Sequence, residues 1–176
     1  MRQFQFSPIL IMMILLGLAT LPGCGYTLGT PTVQGVRTVH VPVFQCESFR
    51  RNMDYLLTEA VQREVRTRTQ YRLDDAATAD TILRGRIVEI RKSALSENRY
   101  DDPRELQLMV GAEVTWVDRR SGQILQQQTF PIGPELTQQA SNVSFAPEVG
   151  QSLATAQQES AQRLAARIVD LMEVPW

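Results

Sequence analysis

Few residues of the chain have types that do chemistry: two thiols, Cys24 and Cys46, and a single imidazole, His40. A metal centre needs three or four ligands at short spacing, and one histidine with two distant cysteines does not supply them. A thiol nucleophile needs a base that a third group orients. His40 lies close before Cys46, but no third group or cleft accompanies the pair. No glycine-rich phosphate loop is present. Asp74, Asp75, Asp80 and the Asp101-Asp102 pair read as turn caps. The expectation is a protein that is not an enzyme and carries no cofactor and no metal.

Cys24 has a different use. It follows "ILIMMILLGLATL" (residues 9–21), a thirteen-residue apolar run behind Arg2. At ~1.5 Å per residue such a helix spans about 20 Å, short of a ~30 Å hydrocarbon core. The run therefore reads as a signal segment over residues 1–23. Leu21-Pro22-Gly23-Cys24 resembles the bacterial lipobox, whose cysteine is acylated, palmitate included, and becomes the new N-terminus. Pairing with Cys46 is the one disulfide the chain could form, and it would staple a short N-terminal loop. Gly25, where an aspartate would resemble an inner-membrane retention signal, favours outer-membrane sorting. Several acyl chains on one residue anchor persistently, where a single chain binds marginally.

Seventeen of the eighteen basic residues are arginine, Lys92 being the exception, while the net charge is only -1. That balance and the envelope address argue against nucleic acid. The arginines form two groups. Arg63, Arg66 and Arg68 lie on the polar side of one helical segment, with Arg72 beyond. Arg84 and Arg86 share a strand face, followed by Arg91, Lys92, Arg99 and Arg104. Interspersed Glu64, Glu89, Glu97 and Asp101 fit a solvated face of ion pairs. The same arginines also fit a site for an anionic head group or a partner's acidic loops, because the guanidinium fork matches phosphate and carboxylate. Arg84, Arg86, Arg91 and Lys92 are the candidate contacts.

The elements that position them follow from periodicity. Residues 24–35 read as a lipidated tether and 36–176 as one domain. "VRTVHVPVF" (36–44) alternates as a strand with Val39, Val41 and Val43 on one face, interrupted or at an edge because of Pro42. His40 falls on the opposite face, partly exposed. Residues 52–68 form a helix with Met53, Leu56, Leu57, Ala60, Val61 and Val65 as its apolar stripe and Asn52 as N-cap. Residues 81–90 begin a strand that continues toward Tyr100 with an interruption around 93–97. Residues 105–118 place Leu106, Leu108, Val110, Ala112, Val114 and Trp116 on one face. A turn at 118–123 returns the chain as a polar strand, 124–131. After an irregular stretch, a helix runs from Pro147 to Met172 with Val149, Leu153, Ala156, Ser160, Leu164, Ile168 and Leu171 inward. The order β-α-β-β-β-α predicts an α+β two-layer sandwich, two helices on a four-stranded, mostly antiparallel sheet.

Lipobox, "CGYTLG", "VRTVHVPVF", "YLLTEAVQREVRTRTQYRL" and "ADTILRGRIVEI" together resemble the LPS-assembly lipoprotein family, LptE. The matching positions are Cys24, Gly25, Tyr26 and Leu28; Phe44; Leu57 through Glu64; and Ala79, Asp80, Leu83, Gly85 and Ile87. The "VDRRSGQIL" hairpin is similar as well. The resemblance implies an outer-membrane lipoprotein on the periplasmic side, held in outer-membrane lipid through acylated Cys24. It further implies that the domain plugs and assists a large β-barrel translocon, the LPS-assembly protein, and contacts lipopolysaccharide. The strand–helix–strand start also resembles small periplasmic lipoproteins that act as adaptors or activators of a cell-wall synthase or secretion pore. A purely structural envelope lipoprotein is the third class.

Overall fold

The alternation over residues 105–118 builds the spine of the fold. A computed structural model describes residues 33, 35–46, 52–97, 99, 103–132 and 142–173. In it, β5 (Pro103–Asp118) turns Leu108, Val110, Ala112, Val114 and Trp116 into the core, with Leu106 packed at its edge. It pairs antiparallel with β4 (Thr81–Glu97) along nearly its whole length, from Thr81 opposite Asp118 to Glu97 opposite Pro103. The other edge of β5 carries β6 (Ile124–Phe130) and β7 (Val143–Phe145). The other edge of β4 carries β1 (Thr38–His40) and β2 (Gln45–Cys46), both parallel to it, and β3 (Arg72–Leu73) runs parallel to β1.

The class is α+β, but among the described residues the sheet has seven strands and is mixed. The count exceeds four because β2, β3 and β7 are two or three residues long, too short to show an alternation. Their pairing is set by the neighbours they dock on. "VRTVHVPVF" is one run in sequence and two strands in space. Pro42 has no N–H to give a ladder, so pairing stops at His40 and resumes at Gln45. The break also turns Val43 outward: it is 51% exposed, while Val39, Val41 and Phe44 are buried. β4 passes through residues 93–97 without ending. Its irregularities are register shifts, one between Ile87 and Glu89 and two between Ala94 and Glu97.

Helix α1 (Met53–Arg68) and helix α2 (Leu153–Asp170) cover one face of the sheet. Met53, Leu57, Ala60, Val61 and Val65 of α1 are buried, and Leu56 lies at the margin. Asn52 precedes α1 with a left-handed backbone, φ 76°, and its side chain makes no cap. The C-terminal helix starts later than its stripe suggests. Pro147–Val149 form a 3-10 turn, Gly150 takes φ 84°, and Ser152 caps α2 by accepting from the Thr155 N–H at 3.1 Å. Val149 is consequently 76% exposed, whereas Ala156, Ser160, Leu164 and Ile168 are buried as the stripe requires.

Several family-like positions have structural reasons. The Phe44 ring lies on Gly85, so close that a Cβ there would meet it at 2.3 Å. Asp80 accepts from the N–H of Arg37 and of Thr38, at 3.1 and 3.2 Å, and from Thr38 Oγ1, tying the entry to β1 onto the start of β4. Asp118 accepts from the Arg120 and Ser121 N–H groups at 2.9 and 2.7 Å, and Gly122 closes that turn at φ 72°, a conformation suited to glycine. The two ends of the domain meet at Tyr71. Its hydroxyl accepts from the Val33 N–H at 3.0 Å and donates to the Met172 carbonyl, and its ring stands edge-on to Trp116.

Candidate functional site on the uncovered face of the sheet

The sheet has one face under α1 and α2 and, among the described residues, one without a helical layer. Cross-strand register decides which side chains occupy which. Arg84 sits opposite Thr115 and Arg86 opposite Glu113, positions that alternate with the core residues of β5. Both therefore point to the outer face. Between Ile87 and Glu89 the register slips by one residue, so Val88 is an extra residue in β4 and the alternation changes phase. After it, Arg91 sits opposite Met109 and joins the outer face, while Lys92 sits opposite Leu108 and takes the helix-side face. Three of the four candidate contacts are thus brought together, and Lys92 is separated from them.

Their electrostatics differ. Arg86 is bound to Glu113 at 2.7 Å and Arg91 to Glu89 at 2.6 Å. Arg84 is exposed and has no carboxylate within salt-bridge distance among the described residues. A groove of about 450 Å³ runs beside it, walled by Pro42, Val43, Arg86, Glu113 and Thr115. Sequence reasoning did not place Val43, Glu113 and Thr115 in this site. Proline within a strand-like run was the available signal, since it predicts the break that turns Val43 outward.

The remaining titratable residues take structural posts. Arg68, on the polar side of α1, bonds to Asp170 at 2.6 Å and to the Ala166 carbonyl at 3.2 Å, joining the C-terminal ends of α1 and α2. Its pKa is raised, chiefly by the bond to Asp170. Arg63 pairs with Glu59 one turn earlier, and Arg104 lies 3.9 Å from Glu148. His40 is half-buried, with Nδ1 3.0 Å from the Asp74 carbonyl oxygen. Cys46 is half-buried at the end of β2. The carboxyl of Asp80 is held below the usual range, first by the Arg37 N–H and then by Thr38. Among the described residues no group of three or more potential metal ligands occurs, and no helix is long and apolar enough to cross a membrane. Cys24, with Gly25, Tyr26 and Leu28, lies outside the described residues. The arrangement offers one anion-receiving guanidinium in an amphipathic groove.

No curated protein matches the chain. Several solved structures share its fold. The hypothetical protein CT253 from Chlamydia trachomatis has a TM-score of 0.53 at 13% identity, with 77% of this chain and 94% of that one covered. The PelC dodecamer from Paraburkholderia phytofirmans has a TM-score of 0.50 at 14% identity, covering 85% and 96%. Protein XCC0632 from Xanthomonas campestris has a TM-score of 0.53 at 9% identity, covering 81% and 86%. At such identities the likeness is one of fold, and the family is settled by a sequence model instead. The model of the lipopolysaccharide-assembly family matches residues 36–172, the whole sandwich from the lead into β1 to the turn after α2, and the chain belongs to that family, LptE.

Proposed function

We propose that the protein is an outer-membrane lipoprotein, acylated on Cys24 and facing the periplasm, that works without catalysis in lipopolysaccharide transport and assembly. In this reading the domain plugs and assists a large β-barrel translocon and contacts lipopolysaccharide. The sheet face carrying Arg84, Arg86 and Arg91 is the surface it presents to them. The observation that carries the reading is the family match across the full sandwich. The two-layer fold agrees with it: helices bury one face of the sheet and leave the other, with its cations, for a partner.

The test is purification of the full-length protein, tagged at the C-terminus, from outer-membrane extracts of a Gram-negative host. A large β-barrel is expected in stoichiometric amount, and N-terminal mass spectrometry is expected to find acylated Cys24. Cys24→Ala is expected to shift the protein out of the outer-membrane fraction. Recovery with a cell-wall synthase in place of a barrel would overturn the assignment.

A further inference from the structure

We propose that Arg84 is the residue through which the uncovered face docks a carboxylate of a partner polypeptide, with Val43 and Pro42 seating the apolar group beside it. This rests on the partner reading above and narrows it to one contact. Four observations converge on the groove. On the outer face, Arg86 and Arg91 are each neutralised by a glutamate within 2.7 Å, whereas Arg84 has no such partner among the described residues. Val43, 51% exposed, stands at the same groove and gives it an apolar wall. The edge of β4 between the partners of His40 and Gln45, Ile82 and Arg86, is left by both β1 and β2, so an opening in the sheet edge lies at this point. Thr115, directly across from Arg84, adds a hydroxyl to the same groove.

The dimensions choose the ligand class. A shallow groove of about 450 Å³ with one uncompensated guanidinium and a short apolar wall fits a single acidic side chain flanked by an aliphatic one. A phosphorylated glycolipid brings several anionic groups and long acyl chains, whereas the described lining of this groove offers Arg84 beside a Glu113-bound Arg86 and a short apolar wall. An arginine in a groove beside apolar side chains is also the common composition of an interface hot spot.

The experiment uses the full-length tagged protein in cells. Arg84→Glu is expected to lower co-purified barrel about tenfold and Arg84→Lys about threefold or less. Arg91→Glu, on the same face but already paired, is expected to change it less than twofold. A photo-crosslinking residue at Thr115 then identifies the facing peptide. Exchange of an Asp or Glu in that peptide for Lys is expected to restore binding to Arg84→Glu. The inference is overturned if Arg84→Glu, folded by circular dichroism, retains the barrel, if crosslinks go only to lipopolysaccharide, or if no charge exchange restores binding. Failure of the wild-type protein to retain any barrel would instead overturn the function proposed above.

Discussion

The sharpest test of the fold concerns Gly85 and Phe44, the two family-like positions that touch. Gly85 is in extended backbone without positive φ, so its lack of a side chain is a matter of space. A Cβ built there lies 2.3, 2.4 and 2.6 Å from Cε2, Cδ2 and Cζ of Phe44, against a normal carbon contact of about 3.5–4.0 Å. The ring has nowhere to retreat. Phe44 is 2% exposed, and its backbone N–H is fixed to Thr58 Oγ1 at 3.0 Å, whose hydroxyl donates to the Asp54 carbonyl of α1. Relief therefore requires moving β2 or α1. Overpacking usually costs about 1–3 kcal/mol, and an overlap exceeding an ångström belongs at the upper end, about 3 kcal/mol. For a domain of this size that lowers Tm by roughly 6–12 °C. Phe44→Ala alone costs about 3–5 kcal/mol through the cavity it leaves. In that background the added Cβ enters vacated space, so Gly85→Ala is expected to become nearly neutral, a coupling of about 3 kcal/mol. Thermal and urea melts of the mature chain and its three variants give the cycle. Additive losses, or a single Gly85→Ala that melts with the parent, would refute the packing argument.

Arg68→Ala removes the bond between the helix ends. With the guanidinium about a third exposed, screening limits the loss to about 1 kcal/mol, and the difference from the parent is expected to shrink in 1 M salt in urea titrations. Gly122→Ala meets open space but forces an L-residue to φ 72°. A cost of about 1–2 kcal/mol is expected, and Gly122→Asn, which tolerates that region better, is expected to recover part of it in the same melts. Asp74, Asp80 and Asp118 have pKa values held below their unfolded ones, each first by a backbone N–H. Their stabilisation is present above the unfolded carboxylate pKa of about 3.9 and is lost as pH falls through the lower folded values. Tm is thus expected to drop below pH 4, and Asp118→Asn to flatten that acid limb while lowering Tm at pH 7. An unchanged acid limb would count against these amide bonds.

Long elements with one buried face were legible in the sequence because burial imposes the period. β5 alternates since its partners on the core side are helices, and α1 keeps its stripe since it lies on a sheet. The turn from Asp118 to Gly122 was legible for a local reason, an aspartate accepting nearby amides before a left-handed glycine. Elements set by distant partners were not. β3 exists because the Arg72 N–H finds the Arg37 carbonyl, 35 residues away in the chain and invisible to any window. Val149 fits the stripe of α2 in sequence, yet Gly150 and the cap at Ser152 separate it from the helix.

The candidate site was legible as a set of cations and illegible as a surface, and two single-residue irregularities account for the difference. Strict alternation along β4 would put Arg84, Arg86 and Lys92 on one face and Arg91 on the other. The extra residue at Val88 reverses the assignment after it, moving Arg91 in and Lys92 out. Pro42 has the matching effect on the adjoining edge: by ending the ladder it turns Val43 outward beside Arg84. Each irregularity leaves the overall fold unchanged. Exchanging the two side chains, Arg91→Lys with Lys92→Arg, would replace the outward guanidinium of that position by an ammonium while keeping net charge constant. Loss of partner binding in that double variant, with Arg84 untouched and the fold intact, would mean that the outer face is recognised as a pattern of several side chains. Retention would leave Arg84 and its groove as the unit that is recognised.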